Sequence, residues 1–226
     1  MTTLITHRAV YVPKQPTGKR ILLFCGLYGS VWQTRRLINV LLRAGYHVTA
    51  LDFSKQAISS GNPQLLPNLV QDVLRFAEDE VRKASKPILL VGISLGALLS
   101  LNILRSSPNF NKAVCITGGD IVTVAQRFYG RKRWPQSHAE LSGLWQEVNM
   151  YTEPAHLKRK RLLFVLPTRD KLIDPQVVRR EAQKQRAAGN ELLLKERRHF
   201  GHIMTIVVET IVFPKRILDY IAEVES

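Results

Sequence analysis

The sequence predicts an α/β domain spanning 1–226, with a mostly parallel central sheet and helices on both faces. Two observations predict it. Short apolar runs alternate with longer segments of helical period, the pattern of successive βαβ units. Those runs are apolar throughout, as strands buried on both faces of a parallel sheet are. A length of 226 residues with a 45% hydrophobic fraction fills one core, which excludes disordered and fibrous classes.

The elements follow in order. After Lys19-Arg20 an apolar run predicts a strand over 21–25, stopped by Gly26-Leu27-Tyr28-Gly29-Ser30. Ser30 is expected to cap a helix over 31–44, with Leu37, Val40, Leu41 and Ala44 on one face and Gly45 past its end. A strand over 46–52 precedes a Ser/Gly/Asn/Pro loop, and Leu69, Val73, Phe76 and Val81 then repeat at helical spacing. A strand over 88–93, a helix over 95–106 and a strand over 113–117 come next.

From 118 to 160 no clear strand is legible. Pro135 and Pro154 punctuate short amphipathic pieces carrying Phe128, Trp134 and Trp145. A connection of that length reads as a cap or lid inserted over one end of the sheet, because long structureless loops are uncommon in compact domains. Regularity returns with a strand over 162–166, a helix over 175–188, a strand over 192–195 and a last helix over 208–224, started or interrupted at Pro214.

Composition bounds the function classes. The 33 Lys and Arg against 18 Asp and Glu leave +15, which suits an anionic substrate or an anionic membrane surface, or simply a solvated basic face. The basic runs Arg131-Lys132-Arg133, Lys158-Arg159-Lys160-Arg161, Arg179-Arg180 and Arg197-Arg198 are spread over many elements, and no specific nucleic-acid partner is expected. Cys25 and Cys115, the two cysteines, lie inside apolar runs, which argues for a reducing compartment rather than a disulfide framework. No apolar run is long enough to span a membrane, and the amino-terminal residues lack the order of a signal peptide, so a cytoplasmic location is expected.

The chemistry-bearing stretch is Gly92-Ile93-Ser94-Leu95-Gly96, a G-x-S-x-G placed between an apolar strand and a helix. In that context small flanking residues permit a sharp turn that exposes a serine oxygen, and the helix that follows aims its first amides at the site. A serine nucleophile needs a base and an orienting acid. The loop after the strand over 162–166 offers Asp170 and Asp174, and the segment after the last strand offers His199 and His202. Asp174 precedes Pro175 and reads as a helix cap, while Asp120, after an earlier strand, is an alternative acid. Cys25 reads as a small buried hydrophobe. No zinc-ligand spacing, phosphate-binding loop or dinucleotide pattern occurs, so no cofactor or metal is expected.

The runs 22–30, Gly92 to Gly96, Arg169-Asp170-Lys171-Leu172-Ile173-Asp174-Pro175 and Gly201-His202-Ile203-Met204-Thr205 resemble the α/β-hydrolase superfamily, closest to small bacterial carboxylesterases and monoacylglycerol lipases. The resemblance implies an α/β-hydrolase fold with Ser94 as nucleophile, Asp170 as acid and His202 as base. The backbone amides of Leu27 and Leu95 would then form the oxyanion hole. Where that family usually has His-Gly at the start of the oxyanion loop, this chain has Cys25-Gly26. The activity implied is hydrolysis of a carboxylic ester of small to medium acyl chain through an acyl-serine. A thioesterase acting on an anionic acyl thioester is one alternative. A catalytically silent fold binding anionic membrane or nucleic acid is the other.

Overall fold

The computed structural model describes residues 4–27, 29–149 and 157–226, with the side chain of Arg131 excepted; Tyr28 and Pro154 lie outside the described residues. Among the described residues seven strands, β1 (Ile5–Tyr11), β2 (Arg20–Phe24), β3 (His47–Phe53), β4 (Ile88–Ile93), β5 (Lys112–Ile116), β6 (Arg161–Pro167) and β7 (Glu191–Arg197), form one sheet. Their order is β1-β3-β2-β4-β5-β6-β7, with β1 antiparallel to β3 and every other neighbouring pair parallel. The parallel strands end on one edge of the sheet, so the loops leaving β2, β4, β6 and β7 open on the same side.

Alternation along each strand divides the interior in two. Leu22 and Phe24 of β2, Leu90 of β4, Cys115 of β5 and Phe164 of β6 face a core shared with α3 (Leu65–Arg82), α4 (Leu95–Ser106) and α7 (Pro175–Ala187). Ile21, Leu23, Val91, Ile116 and Val165 face the opposite core, against α1 (Arg35–Arg43) and α9 (Arg216–Glu225). Helix α4 is buried almost all round, which explains its run of apolar residues without a polar stripe.

Three expectations change. The first strand, β1, went unread because none of its residues is buried and Thr6, His7 and Arg8 interrupt its apolar positions; it is an edge strand held by pairing to β3 and by Arg8 to Glu80 at 3.0 Å. Helix α1 begins at Arg35 rather than at 31. Ser30 and Gln33 cap a separate turn reciprocally, Ser30 N–H to Gln33 Oε1 at 3.1 Å and Gln33 N–H to Ser30 Oγ at 3.3 Å. The last helix is in pieces: α8 (His202–Val207), a π-helical turn Val208–Val212, and α9 beyond Pro214, which has no N–H to continue the ladder.

Between 118 and 149 the chain forms α5 (Ile121–Arg133), kinked at Gly130, and α6 (His138–Leu144). Trp134 and Trp145 are fully buried and meet edge to face at 5.0 Å. Their indole N–H groups donate to Ile58 O at 3.0 Å, beside the end of α2 (Gln56–Ser59), and to Pro63 O at 2.8 Å. These two tryptophans therefore belong to the main core rather than to a separate flap. Among the described residues no helix is long and apolar enough to cross a membrane.

Glu181 of α7 is buried, with Oε1 accepting from Gln185 Nε2 at 2.7 Å and Oε2 without a partner among the described residues. Burial raises its pKa above the ordinary 4.5, so it costs no stability below the unfolded carboxylate range and an increasing amount as pH rises through the folded value. Glu181→Gln should accordingly raise Tm by a few degrees at pH 8 and leave it nearly unchanged at pH 4, as scanning calorimetry at the two pH values would show.

Candidate active site

Ser94 lies at the turn from β4 into α4, with φ 54° and ψ −113°, a conformation that L-residues rarely adopt. Two glycines let the chain take it. A Cβ on Gly92 would lie 2.3 Å from Gly96 O, and one on Gly96 would lie 2.1 Å from Phe24 O, so strand, elbow and helix approach more closely than any side chain permits. Ser94 N–H donates to Ile116 O at 2.8 Å, which ties the elbow to the end of β5.

The other loops converge on this point. After β6 and β7 the pairing continues through Thr168 N–H to Arg197 O at 3.1 Å and Arg169 N–H to Phe200 O at 3.0 Å. Asp170 then turns inward, its Oδ1 accepting from the N–H groups of Leu172 at 2.8 Å and Ile173 at 3.0 Å. Its Oδ2 lies 2.8 Å from His202 Nδ1, and His202 Nε2 lies 3.0 Å from Ser94 Oγ. Because the carboxylate can only accept, the imidazole proton sits on Nδ1, and Nε2 offers its lone pair to the Ser94 hydroxyl. The carboxylate and imidazole are buried while Ser94 is half-exposed, so the serine is the member that a solute can reach.

The loop after β2 passes alongside. A Cβ on Gly26 would be 3.3 Å from Ser94 Cβ, and Gly29 N–H closes a turn onto Gly26 O at 3.0 Å. Leu27 is on this turn, and Leu95 begins α4. Their N–H groups therefore belong to segments that adjoin Ser94. Asp52 Oδ1 accepts from Val31 N–H at 2.8 Å and fastens the loop to the end of β3.

The remaining candidates lie elsewhere. Asp120 caps α5 through Val122 N–H at 3.0 Å and accepts from Asn149 Nδ2 at 2.6 Å, so its carboxylate is engaged away from His202. Asp174 caps α7 through Gln176 N–H at 2.9 Å, with Pro175 at the first helical position. His199 is exposed at a left-handed turn, φ 68°. Cys25 is buried on the α1 face, where burial and then Asp52 push its thiol well above the ordinary range, leaving it protonated. Among the described residues no three His, Cys, Asp or Glu side chains gather as a metal site.

The basic runs prove partly structural. Lys160 Nζ donates to Phe110 O at 2.6 Å, Arg161 pairs with Glu191 at 2.9 Å, and both sit at the amino end of β6, opposite the serine. Arg179 pairs with Glu196 at 2.7 Å. A feature the sequence reading missed is Glu209, fully buried in the π-helical turn. Arg197 of β7 binds it, Tyr220 of α9 donates to it at 3.1 Å, and Arg216 lies 3.8 Å away. The signal was present in Val208-Glu209-Thr210-Ile211-Val212: an acid within an apolar helical run has to find buried partners.

Comparison with known proteins agrees with this fold. A family model described as serine aminopeptidase, S33, matches residues 15–125, which includes the elbow. The structure is similar to that of a monoacylglycerol lipase of Paleococcus ferrophilus, with TM-score 0.68 and 16% identity over 98% of each chain. An esterase of Pyrococcus furiosus superposes with TM-score 0.63 and 20% identity, over 92% of this chain and 81% of that one. An acylaminoacyl peptidase of Pyrococcus horikoshii gives TM-score 0.68 and 14% identity over 88% of this chain, covering 36% of the longer peptidase. No curated protein sequence matches the chain. The fold is that of the α/β hydrolases.

The close approach at the elbow is testable apart from any activity. Gly96→Ala has to displace the Phe24 carbonyl and should lower the unfolding free energy by about 3 kcal/mol or more, beyond what an ordinary overpacked core position loses. Urea denaturation followed by circular dichroism measures it.

Proposed function

We propose that the protein is a serine hydrolase that cleaves a carboxylic ester of small to medium acyl chain through an acyl-serine intermediate. The observation that carries the reading is the continuous hydrogen-bonded series from Asp170 through His202 to Ser94, at 2.8 and 3.0 Å. Ser94 Oγ attacks the ester carbonyl carbon as His202 Nε2 takes its proton. Asp170 holds the imidazole in the tautomer this requires and stabilises the imidazolium that forms. The amides of Leu27 and Leu95 receive the oxyanion, and collapse of the tetrahedral species expels the alcohol with the proton from His202. Water, deprotonated by the same imidazole, then releases the acid and restores Ser94. No step calls on a cofactor.

Residues 118–149 are proposed to wall the acyl side of the site, since Gly119 packs so closely on Ile173, in the loop of Asp170, that a Cβ there would lie 2.2 Å from Ile173 Cγ2. The ester reading draws support from the resemblance to an esterase and a monoacylglycerol lipase.

Ser94→Ala and His202→Ala should each abolish measurable turnover of p-nitrophenyl esters while leaving the circular dichroism spectrum unchanged. His199→Ala should retain most of the activity. Asp170→Asn should reduce kcat by about 10³ to 10⁴ through loss of the oriented tautomer. Asp120→Asn and Asp174→Asn should affect stability more than rate. A panel of acyl esters, acyl-CoA thioesters and amino-acid amides run with the parent protein distinguishes the reactions. Preference for the thioester or the amide by kcat/KM would replace the ester reading, and full activity in Ser94→Ala would remove the mechanism.

A further inference from the structure

Exposed large apolar side chains are usually scattered singly. Here five lie on two adjoining stretches, α8 with the π-helical turn after it and the turn before α1. Ile203 and Met204, 68% and 54% exposed, follow His202 directly on α8. Val212 and Phe213 end the π-helical turn. Trp32, 76% exposed, is on the turn that leads into α1. The two stretches meet where Arg36 Nη1 of α1 donates to Ile211 O of the π-helical turn at 3.4 Å. With β7 and β2 parallel, α8 and the start of α1 both leave the sheet at the edge that carries Ser94.

The charge around this face is one-sided. Over 30–40 and 197–219 the chain has six Arg and Lys and two carboxylates, Glu209 and the exposed Asp219. Glu209 is buried and engaged by Arg197 and Arg216, so it offers nothing to the surface. Arg35, Arg36, Arg198 and Lys215 are exposed, and the Arg216 guanidinium lies over the Phe213 ring at 4.4 Å. A second copy docking through the same face would bring these cations together, because a two-fold interface apposes a patch with itself. Apolar side chains interleaved with Arg and Lys suit the boundary of a membrane with anionic headgroups, where aromatic rings enter the headgroup layer and the cations remain at phosphate level.

We propose that this face, Trp32 with α8 and the π-helical turn, seats the protein on an anionic lipid bilayer with the serine edge toward the lipid. The binding does not depend on which reaction the site performs, and it is tested without turnover in Ser94→Ala. Trp134 and Trp145 are fully buried, so a shift in indole emission on docking reports Trp32.

The experiment compares sedimentation and tryptophan emission with vesicles of phosphatidylcholine alone and of phosphatidylcholine with phosphatidylglycerol in equal parts. The expected result is co-sedimentation and a blue shift with the anionic vesicles only, weakening steeply with added salt. Replacing Arg35 and Lys215 together by Gln should reduce the partition coefficient by roughly fivefold for each charge removed. Replacing Val212 and Phe213 together by Ser should reduce it further and shrink the blue shift, and both variants should keep the parent Tm within a few degrees. Absence of binding, equal binding to neutral vesicles, or binding unaltered by both double variants would overturn the proposal. So would a dimer that these substitutions dissociate in a protein that ignores vesicles.

Discussion

The backbone at Ser94 is the constraint on which the rest of the molecule depends. A serine held at φ 54° is strained, and it stays there because β4 and α4 are fixed on both sides of it. Gly92 and Gly96 allow the helix to lie against the strand and against the end of β2, and the apolar sequence of α4 buries that helix nearly all round. Strain at the elbow is thus offset by a core that cannot relax around it. The serine oxygen is held at the one edge of the sheet where the parallel strands all end.

From that point the geometry is set by loops that share hydrogen bonds. The segments carrying Asp170 and His202 are not independent, because Arg169 N–H to Phe200 O joins them beyond the last pair of the β6–β7 ladder. Asp170 has three donors, two of them from its own turn, so its orientation does not rely on the imidazole alone. Below His202, Glu209 binds β7 and α9 through Arg197, Tyr220 and Arg216 and fixes the course of the helix that follows the imidazole. Removing one partner from such a buried ionic group leaves an uncompensated charge and is costly, so the course of this helix is tied to all three partners.

What the sequence made legible were features with a local cause. The elbow stood out because its glycines and the apolar run before it lie within ten residues, and Asp174 was readable as a cap because Pro175 follows it. Helix α4 and strand β4 were bounded correctly for the same reason. What was hidden depends on partners distant in the chain. Strand β1 buries none of its residues, carries Thr6, His7 and Arg8 between its apolar positions, and is held by pairing with β3. Trp134 and Trp145 looked like lid aromatics, but Ile58 and Pro63, far upstream, accept their indole protons. The basic runs read alike along the chain, yet Lys160 and Arg161 are tied at the far end of β6 while Arg197 serves Glu209. Net charge gave no means of telling these apart.

The central claim is that Ser94 is a nucleophile activated by His202. The most direct measurement is intact-mass and peptide-mapping analysis after brief exposure to a fluorophosphonate, which phosphonylates an activated serine and leaves ordinary hydroxyls alone. The account predicts one adduct per chain, located at Ser94 and absent from the His202→Ala protein. An unlabelled protein, or an adduct at another residue that persists without His202, would contradict it.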